Sequence, residues 1–412
     1  MMKNAFSKIR KILVQFGQKL LAALLSTGVR QLLVLPLLAA RFTDAEYGAI
    51  LTITSIANIV EVALGNTLNN TRLITHKQYR QHSLTGDFQP MLLIAAGIAT
   101  LVSLALPAFF PQLDWLNGLL LWLAILANTL SCYYIVHFVM ELRFDKALIQ
   151  SGVTALGTGL GVLLTLLTGL WPFSFLMGSV TSLVYLWFST PLMREPFRWT
   201  PLRASTGKRW LLLILTSLLS NALIYLDKLL LYPVLGAVAV ANYATAAFFG
   251  KCAASVMPPV ANVLLGHFSQ ENFRMTQKKY LLIALGSVGF ALFAFLASLL
   301  LGPWLTGLFY PTLIDAARPL LFLANLAACV GIACTLLQTV VLRFCPSSRL
   351  LFVQLIYGII YIGGGLLVLP VHGITGFCWV AVTANALRLI LFLLLGLFRF
   401  RAPASPLPTS AQ

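Results

Sequence analysis

Six ionisable side chains stand inside long apolar runs of this chain: Arg30, Glu61, Asp227, Lys228, Lys251 and Arg388. Four are cationic and two are carboxylic, so they carry a positive excess into stretches of Leu, Ile, Val, Ala and Phe. A guanidinium at the centre of a bilayer costs at least ~2.5–3.5 kcal/mol on insertion scales, so such residues face a hydrated cavity or a partner, not lipid. The chemistry open to them is electrostatic. The cations Arg30, Lys251, Arg388 and Lys228 can hold an anionic substrate by charge-assisted hydrogen bonds, Arg bidentately. Glu61 and Asp227 can couple H+ or Na+ or pair with a cation. No nucleophile–base set, metal-ligand spacing or Walker loop accompanies them. The expectation is a transporter, not an enzyme, with no metal and no cofactor.

The first of these residues sits in the most informative element. Leu20 to Ala40 is apolar almost throughout and long enough to cross a bilayer, since about 20 residues span the ~30 Å core. Arg30 lies near its middle. A polar turn from Arg41 to Gly48 follows, and a second apolar run begins at once, which predicts a helical hairpin. At ~1.5 Å rise per residue, Arg30 and Lys251 fall near mid-depth, Glu61 and Arg388 in the inner third, and Asp227 and Lys228 towards the outer end. Lys228 is near enough to the surface to snorkel. Asp227 and Lys228 are adjacent, so on a helix they point ~100° apart and do not face each other.

Composition bounds the class. The chain of 412 residues is 59% hydrophobic and only 9% charged, with a mean hydropathy of +0.90, whereas soluble domains carry roughly 25% charged residues. Spanning backbone must be helix or closed barrel, and continuous apolar runs without alternation favour helices. The net charge of +17 would suggest nucleic acid in a soluble protein. Here the basic residues lie between apolar runs, so topology explains them and no nucleic-acid partner is expected. The six cysteines lie in or beside apolar runs, without metal-ligand spacing.

The predicted architecture is all-α and integral to the membrane, with twelve transmembrane helices at about 18–41, 46–67, 89–110, 116–139, 149–170, 172–193, 210–233, 237–266, 280–306, 317–342, 348–369 and 373–398. With the N-terminus in the cytoplasm, 22 of the 28 Lys and Arg fall on inner segments, and the outer turns hold only Arg41 and Arg318. By the positive-inside rule both termini are cytoplasmic. Residues 1–193 form an N-terminal six-helix bundle, 194–209 a cytoplasmic linker with Pro196 and Pro201, 210–400 a C-terminal six-helix bundle, and 401–412 a disordered tail. The outer turns are short, which counts against a membrane polymerase or glycosyltransferase. A faint repeat supports duplication: Phe42-Thr-Asp-Ala-Glu-Tyr47-Gly-Ala follows span 1, and Val238-Ala-Val-Ala-Asn-Tyr243-Ala-Thr follows span 7. The implied pseudo-two-fold axis runs along the membrane normal. Among the aromatics, Trp115, Trp122, Tyr133 and Tyr134 cluster in span 4 and can pack, line the interface or stack on sugars. Pro36 marks a hinge candidate in span 1.

Leu38-Ala-Ala-Arg-Phe-Thr-Asp-Ala-Glu-Tyr-Gly48, after a basic N-terminus and a span with a central cation, resembles the start of polysaccharide flippases. So does Asn221-Ala-Leu-Ile-Tyr-Leu-Asp227-Lys228 with the Leu-Gly-Ala-Val-Ala-Val-Ala-Asn-Tyr243 that follows it. The family is the O-antigen (Wzx-type) branch of the multidrug/oligosaccharidyl-lipid/polysaccharide (MOP) superfamily. The resemblance implies two six-helix bundles around a central cavity. It implies translocation of undecaprenyl-diphosphate-linked oligosaccharide across a phospholipid bilayer, the bacterial inner membrane, by alternating access, with polysaccharide polymerase machinery as a further partner. Span 1 carries Arg30 and no acidic residue, unlike many drug/cation antiporters of the superfamily. That departure weakens the antiporter alternative.

Overall fold

The computed structural model describes residues 17–18, 20–268 and 275–401. The expected disordered tail and the basic residues Lys3, Lys8, Arg10, Lys11 and Lys19 lie outside them, as does Arg274. Every regular element among the described residues is helical. Nine of these helices are long and apolar enough to cross a membrane, and the chain is a multi-pass membrane protein. Exposed Leu156, Leu160, Leu163 and Leu167 form an apolar stripe on one helix, as a lipid-facing span presents.

The chain divides into two compact units between Leu229 and Leu230. The first contains α1 (Leu20–Arg41), α2 (Asp44–Gln81), α3 (Phe88–Phe109), α4 (Trp115–Met140), α5 (Phe144–Thr168), the shorter α6 (Phe173–Ser189) and α7 (Arg203–Ile224). The expected hairpin is present. Thr43 and Glu46 close a reciprocal capping box at the start of α2, in which the Thr43 backbone N–H donates to Glu46 at 2.9 Å and the Glu46 N–H donates back to the Thr43 hydroxyl at 3.3 Å. Three elements differ from the sequence expectation. α2 runs past residue 67 to Gln81, because Arg72 finds Tyr133 and Glu195, and Tyr79 finds Asp87 and Thr206, inside the unit. The expected span 237–266 folds as three short helices, α9 to α11 below, the last ending at Phe268, and the expected span 210–233 breaks at Tyr225 into α7 and α8 (Leu226–Leu235).

Both α1 and α2 contain a π-helical turn, at Arg30–Val34 and at Val62–Asn66. The first has a clear cause. Pro36 has no N–H to give the carbonyl four residues back, and the Leu35 N–H reaches Arg30 O instead. The second lies where Gly65 touches α4: a Cβ there would stand 2.5 Å from the Thr129 carbonyl oxygen. π turns are rare and concentrate at functional sites. The first begins at Arg30 and the second directly follows Glu61.

α5 and α6 pack closely along small residues. α7 lies on α2, with the Trp210 indole donating to the Thr67 hydroxyl at 3.1 Å. The segment 194–202 is tied down. The Thr200 N–H donates to Asp87 Oδ1 at 2.6 Å, the Tyr79 hydroxyl donates to Asp87 Oδ2 at 2.5 Å, and the Arg198 guanidinium donates to Thr85 O at 2.7 Å.

α8 (Leu226–Leu235) leads from the first unit into the second. The second unit then contains α9 (Ala237–Ala246), α10 (Phe248–Ser255), α11 (Met257–Phe268), α12 (Gln277–Phe309), α13 (Ile314–Phe344) and α14 (Ser347–Arg401). At 55 residues α14 is far longer than one bilayer crossing, and it breaks at Gly373 (φ 58°, ψ −148°) into two rods. α13 packs on both α12 and α14. A core of Cys334, Leu337, Val340 and Phe392 fills the space between them.

Candidate functional site

Within the first unit, α1, α2, α4, α5 and α6 enclose a polar chamber of about 210 Å3. Its walls carry an unusual set of hydrogen-bonding groups for a membrane interior: Arg30, Asn58, Glu61, Asn128, Gln150 and Ser182. The first π turn begins at Arg30. Arg30 Nη1 donates to Asn58 Oδ1 at 2.7 Å, and its guanidinium carbon lies 6.0 Å from the centre of the Phe175 ring. Asn58 is held in the orientation that presents its oxygen, because its own Nδ2 donates to Thr54 O at 2.6 Å. Glu61 is buried, and its Oε2 accepts from Asn128 Nδ2 at 2.6 Å. Gln150 Nε2 donates to Ser182 Oγ at 2.6 Å on the opposite wall. Cation and carboxyl thus share one chamber, each seated on a neutral amide. No ion pair within 4 Å joins them among the described residues.

Tyr225, Asp227 and Lys228 belong to the same unit. Tyr225 lies within electrostatic reach of Arg30, Glu61 and Asp227. Lys228 Nζ donates to Ser55 Oγ at 3.0 Å and stands 5.6 Å from the Tyr225 ring centre. Asp227 is buried and accepts from the Lys228 backbone N–H at 2.9 Å. Four of the six residues singled out from sequence therefore gather in one unit, and there their formal charges balance.

The other two lie in the second unit. Arg388 Nη2 donates to Gln338 Oε1 at 2.6 Å, and its guanidinium carbon lies 4.8 Å from the Tyr357 ring centre and 5.6 Å from that of Phe392. Its Nε is buried and makes no hydrogen bond among the described residues. Lys251 Nζ stands 5.3 Å from the Tyr243 ring. A chain of rings runs between the two cations, with centroids 5.5 Å apart from Tyr357 to Tyr361, 5.5 Å from Tyr361 to Phe377 and 5.4 Å from Phe377 to Tyr243. Among the described residues the second unit has a single carboxylate, Asp315, exposed beside Arg318. The in-span positive excess resides here.

Sequence reasoning missed the seats: Asn58, Asn128, Phe175, Gln338 and Tyr357. An amide within an apolar run is the signal that could have found three of them, since Asn58 lies one helical turn before Glu61. It also treated Arg72 as a loop cation. Arg72 instead makes a bidentate pair with Glu195, donates to the Tyr133 hydroxyl at 2.5 Å and covers the Phe88 ring at 4.8 Å. The span-4 aromatics are largely structural: Trp122 donates to Thr100 at 3.0 Å and Tyr134 to Gln89 at 3.1 Å.

No protein-family model matches the sequence, and no curated protein matches it. Solved structures do match the fold. One is an inward-facing conformation of a multidrug resistance MATE family transporter of the MOP superfamily, at TM-score 0.65 and 15% identity, covering 93% of this chain and 94% of that one. Another is the lipid II flippase MurJ in an inward closed conformation, at TM-score 0.66 and 13% identity, covering 94% and 87%. A third is the Vibrio cholerae MATE transporter VcmN, at TM-score 0.65 and 15% identity, covering 95% and 97%. The chain has the fold of the MOP transporters. At these identities the likeness establishes architecture, and drug transporters and a lipid flippase share it equally.

Proposed function

We propose that the chain is a lipid-linked oligosaccharide flippase of the Wzx type, with twelve spans in two six-helix bundles and both termini in the cytoplasm. Its cargo would be undecaprenyl-diphosphate-linked repeat units of O-antigen or another surface polysaccharide. They would move from the cytoplasmic to the outer leaflet of a bacterial inner membrane and be handed to polymerase machinery. One observation carries the reading. The half-buried guanidiniums of Arg30 and Arg388 are each seated on an amide oxygen and an aromatic face, not on a carboxylate. An amide orients a guanidinium without cancelling its charge, which leaves that charge for an anionic headgroup. A diphosphate fits, with Lys228 adding positive charge within the first unit and Lys251 within the second. A membrane potential negative inside favours outward movement of an anion. Two charges crossing 100 mV gain about 4.6 kcal/mol, at about 2.3 per charge.

Glu61 supports a second reading. A buried carboxyl in the same chamber as Arg30 suits H+ or Na+ coupling, and it also suits a multidrug/cation antiporter. The two readings separate on cargo. In a strain whose surface polysaccharide depends on this protein, Arg30→Ala and Arg388→Ala should each lower surface polysaccharide at least about tenfold, the effect of ~1.4 kcal/mol of lost headgroup binding. Arg30→Lys should retain part of it. Normal polysaccharide with both alanine variants, together with efflux of organic cations that Glu61→Gln abolishes, would decide for the antiporter.

A further inference from the structure

The first unit carries a second concavity, away from the chamber. It is a groove of about 440 Å3 lined by Met91, Ile94, Trp199, Arg203, Gly207 and Trp210. Its wall comes from a segment that interleaves basic and aromatic residues, Arg194-Glu-Pro-Phe197-Arg198-Trp199, followed by Arg203 at the first turn of α7. Phe197 is 63% exposed and Trp199 46%. The amphipathic indole of Trp199 suits the headgroup level of a bilayer. The Arg203 side chain is exposed and makes no hydrogen bond or ion pair among the described residues. Lys208 and Arg209 are exposed close by.

The groove is built, not incidental. Trp199 is clamped on both sides, since Arg198 is bonded to Thr85 and Thr200 to Asp87. Asp87 holds a left-handed backbone (φ 60°) to make that contact while fully buried, a strain that only a fixed surround sustains. The floor is Trp210, pinned to Thr67. Gly207 leaves the space above it open, its nearest side-chain atom being Met91 Cε at 3.7 Å from a would-be Cβ. Ile94 in the lining is exposed, and so are its neighbour Leu93 and, on α7 beyond Trp210, Leu211 and Leu212.

An occupant of this groove therefore meets the cationic Arg203 at the start of α7 and apolar Met91, Ile94 and Trp210 along the same wall. We infer that the groove seats an anionic phospholipid, its phosphate on Arg203 and its acyl chains against Met91, Ile94 and Trp199. Charge complementarity selects the headgroup, because a guanidinium binds phosphate oxygens bidentately and the flanking Lys208 and Arg209 add attraction for a net negative lipid. The site is independent of the cargo reading, since none of its residues lines the chamber.

Native mass spectrometry of the full-length protein in mixed detergent–lipid micelles tests the inference, with phosphatidylglycerol and phosphatidylcholine as probes. Wild-type protein should retain phosphatidylglycerol roughly fivefold over phosphatidylcholine, the weight of one basic residue at an anionic surface. Arg203→Ala should abolish that preference, and Arg203→Lys should keep most of it. Gly207→Leu should exclude both lipids by filling the groove. Arg203 is exposed, so its variants still decide the question should Gly207→Leu fail to fold. Equal retention of the two lipids by wild-type protein, or unchanged preference in Arg203→Ala, would overturn the inference. Release of phosphatidylglycerol by millimolar inorganic phosphate would overturn it too, by marking a bare anion site.

Discussion

Replacing Asn128 by Leu removes the one hydrogen bond that reaches the Glu61 carboxyl among the described residues. A buried polar group left without its partner costs about 1–3 kcal/mol, so Asn128→Leu should lower the melting temperature of the purified protein. Adding Glu61→Leu in the same chain should restore part of that loss, because the stranded group is then gone. Equal melting temperatures for wild type and Asn128→Leu would mean that water satisfies the carboxyl. The contrast between Glu61 and its seat also explains what could be read in advance. Ionisable residues inside apolar runs stand out in any linear reading, because the cost of burying charge is large whatever the fold. Their partners do not stand out. Asn58, Asn128 and Gln338 gain meaning only when α1, α2, α4 and the helices of the second unit are placed, and an amide costs too little in a span to draw notice. Arg72 shows the converse. It was visible as a charge, but its bidentate partner Glu195 lies 123 residues away, so nothing local distinguished a buried brace from a loop cation.

At the scale of elements, the two π turns lie at the site residues, one beginning at Arg30 and the other directly after Glu61. Pro36 makes the first and close packing at Gly65 accompanies the second. Gly65→Ala places a methyl 2.5 Å from a backbone oxygen and 2.8 Å from Cys132 Cβ, neither of which can swing away. Overpacking of this kind costs about 1–3 kcal/mol. It should also lower transport by more than the stability loss explains, since α4 carries Asn128. Transport that stays normal in folded Gly65→Ala protein would separate the π turn from the site. Arg72→Ala tests a different joint. It strands Glu195 and uncovers Phe88 and Tyr133, and for this half-screened pair a loss of about 2 kcal/mol is expected, read as a lowered thermal midpoint with the cargo-binding residues untouched. Hairpins were legible where capping chemistry was local, as in Thr43 to Glu46. Helix ends were not legible where tertiary partners extend a helix, as in α2 beyond residue 67, or where short breaks interrupt an apolar run, as between Ala237 and Phe268.

At the scale of the molecule, charge on the turns is the strongest orienting term. Twenty-two of 28 basic residues are assigned to one side by the twelve-span layout, and each short cytoplasmic loop bearing Lys or Arg resists translocation. The described residues supply nine helices that meet the length and hydropathy of a span. The twelve-span layout adds three: α6, the region of α9 to α11, and the second rod of α14 beyond Gly373. Each addition changes which turns face outward, so topology reporters can count them. Alkaline phosphatase, active only outside the cytoplasm, should be active when fused at the Asp114 turn and at Asp315, and inactive when fused at Leu84, at Pro201 and after Arg401. The last fusion is the most discriminating. If α14 crosses once instead of twice, the chain beyond Arg401 emerges on the outer side and the reporter becomes active. If α9 to α11 fail to cross as a set, the parity reverses from Asp315 onward, so the Asp315 reporter falls silent and the C-terminal one becomes active. An inactive C-terminal reporter with an active one at Asp315 is the single pattern that the even count and the basic turns both require.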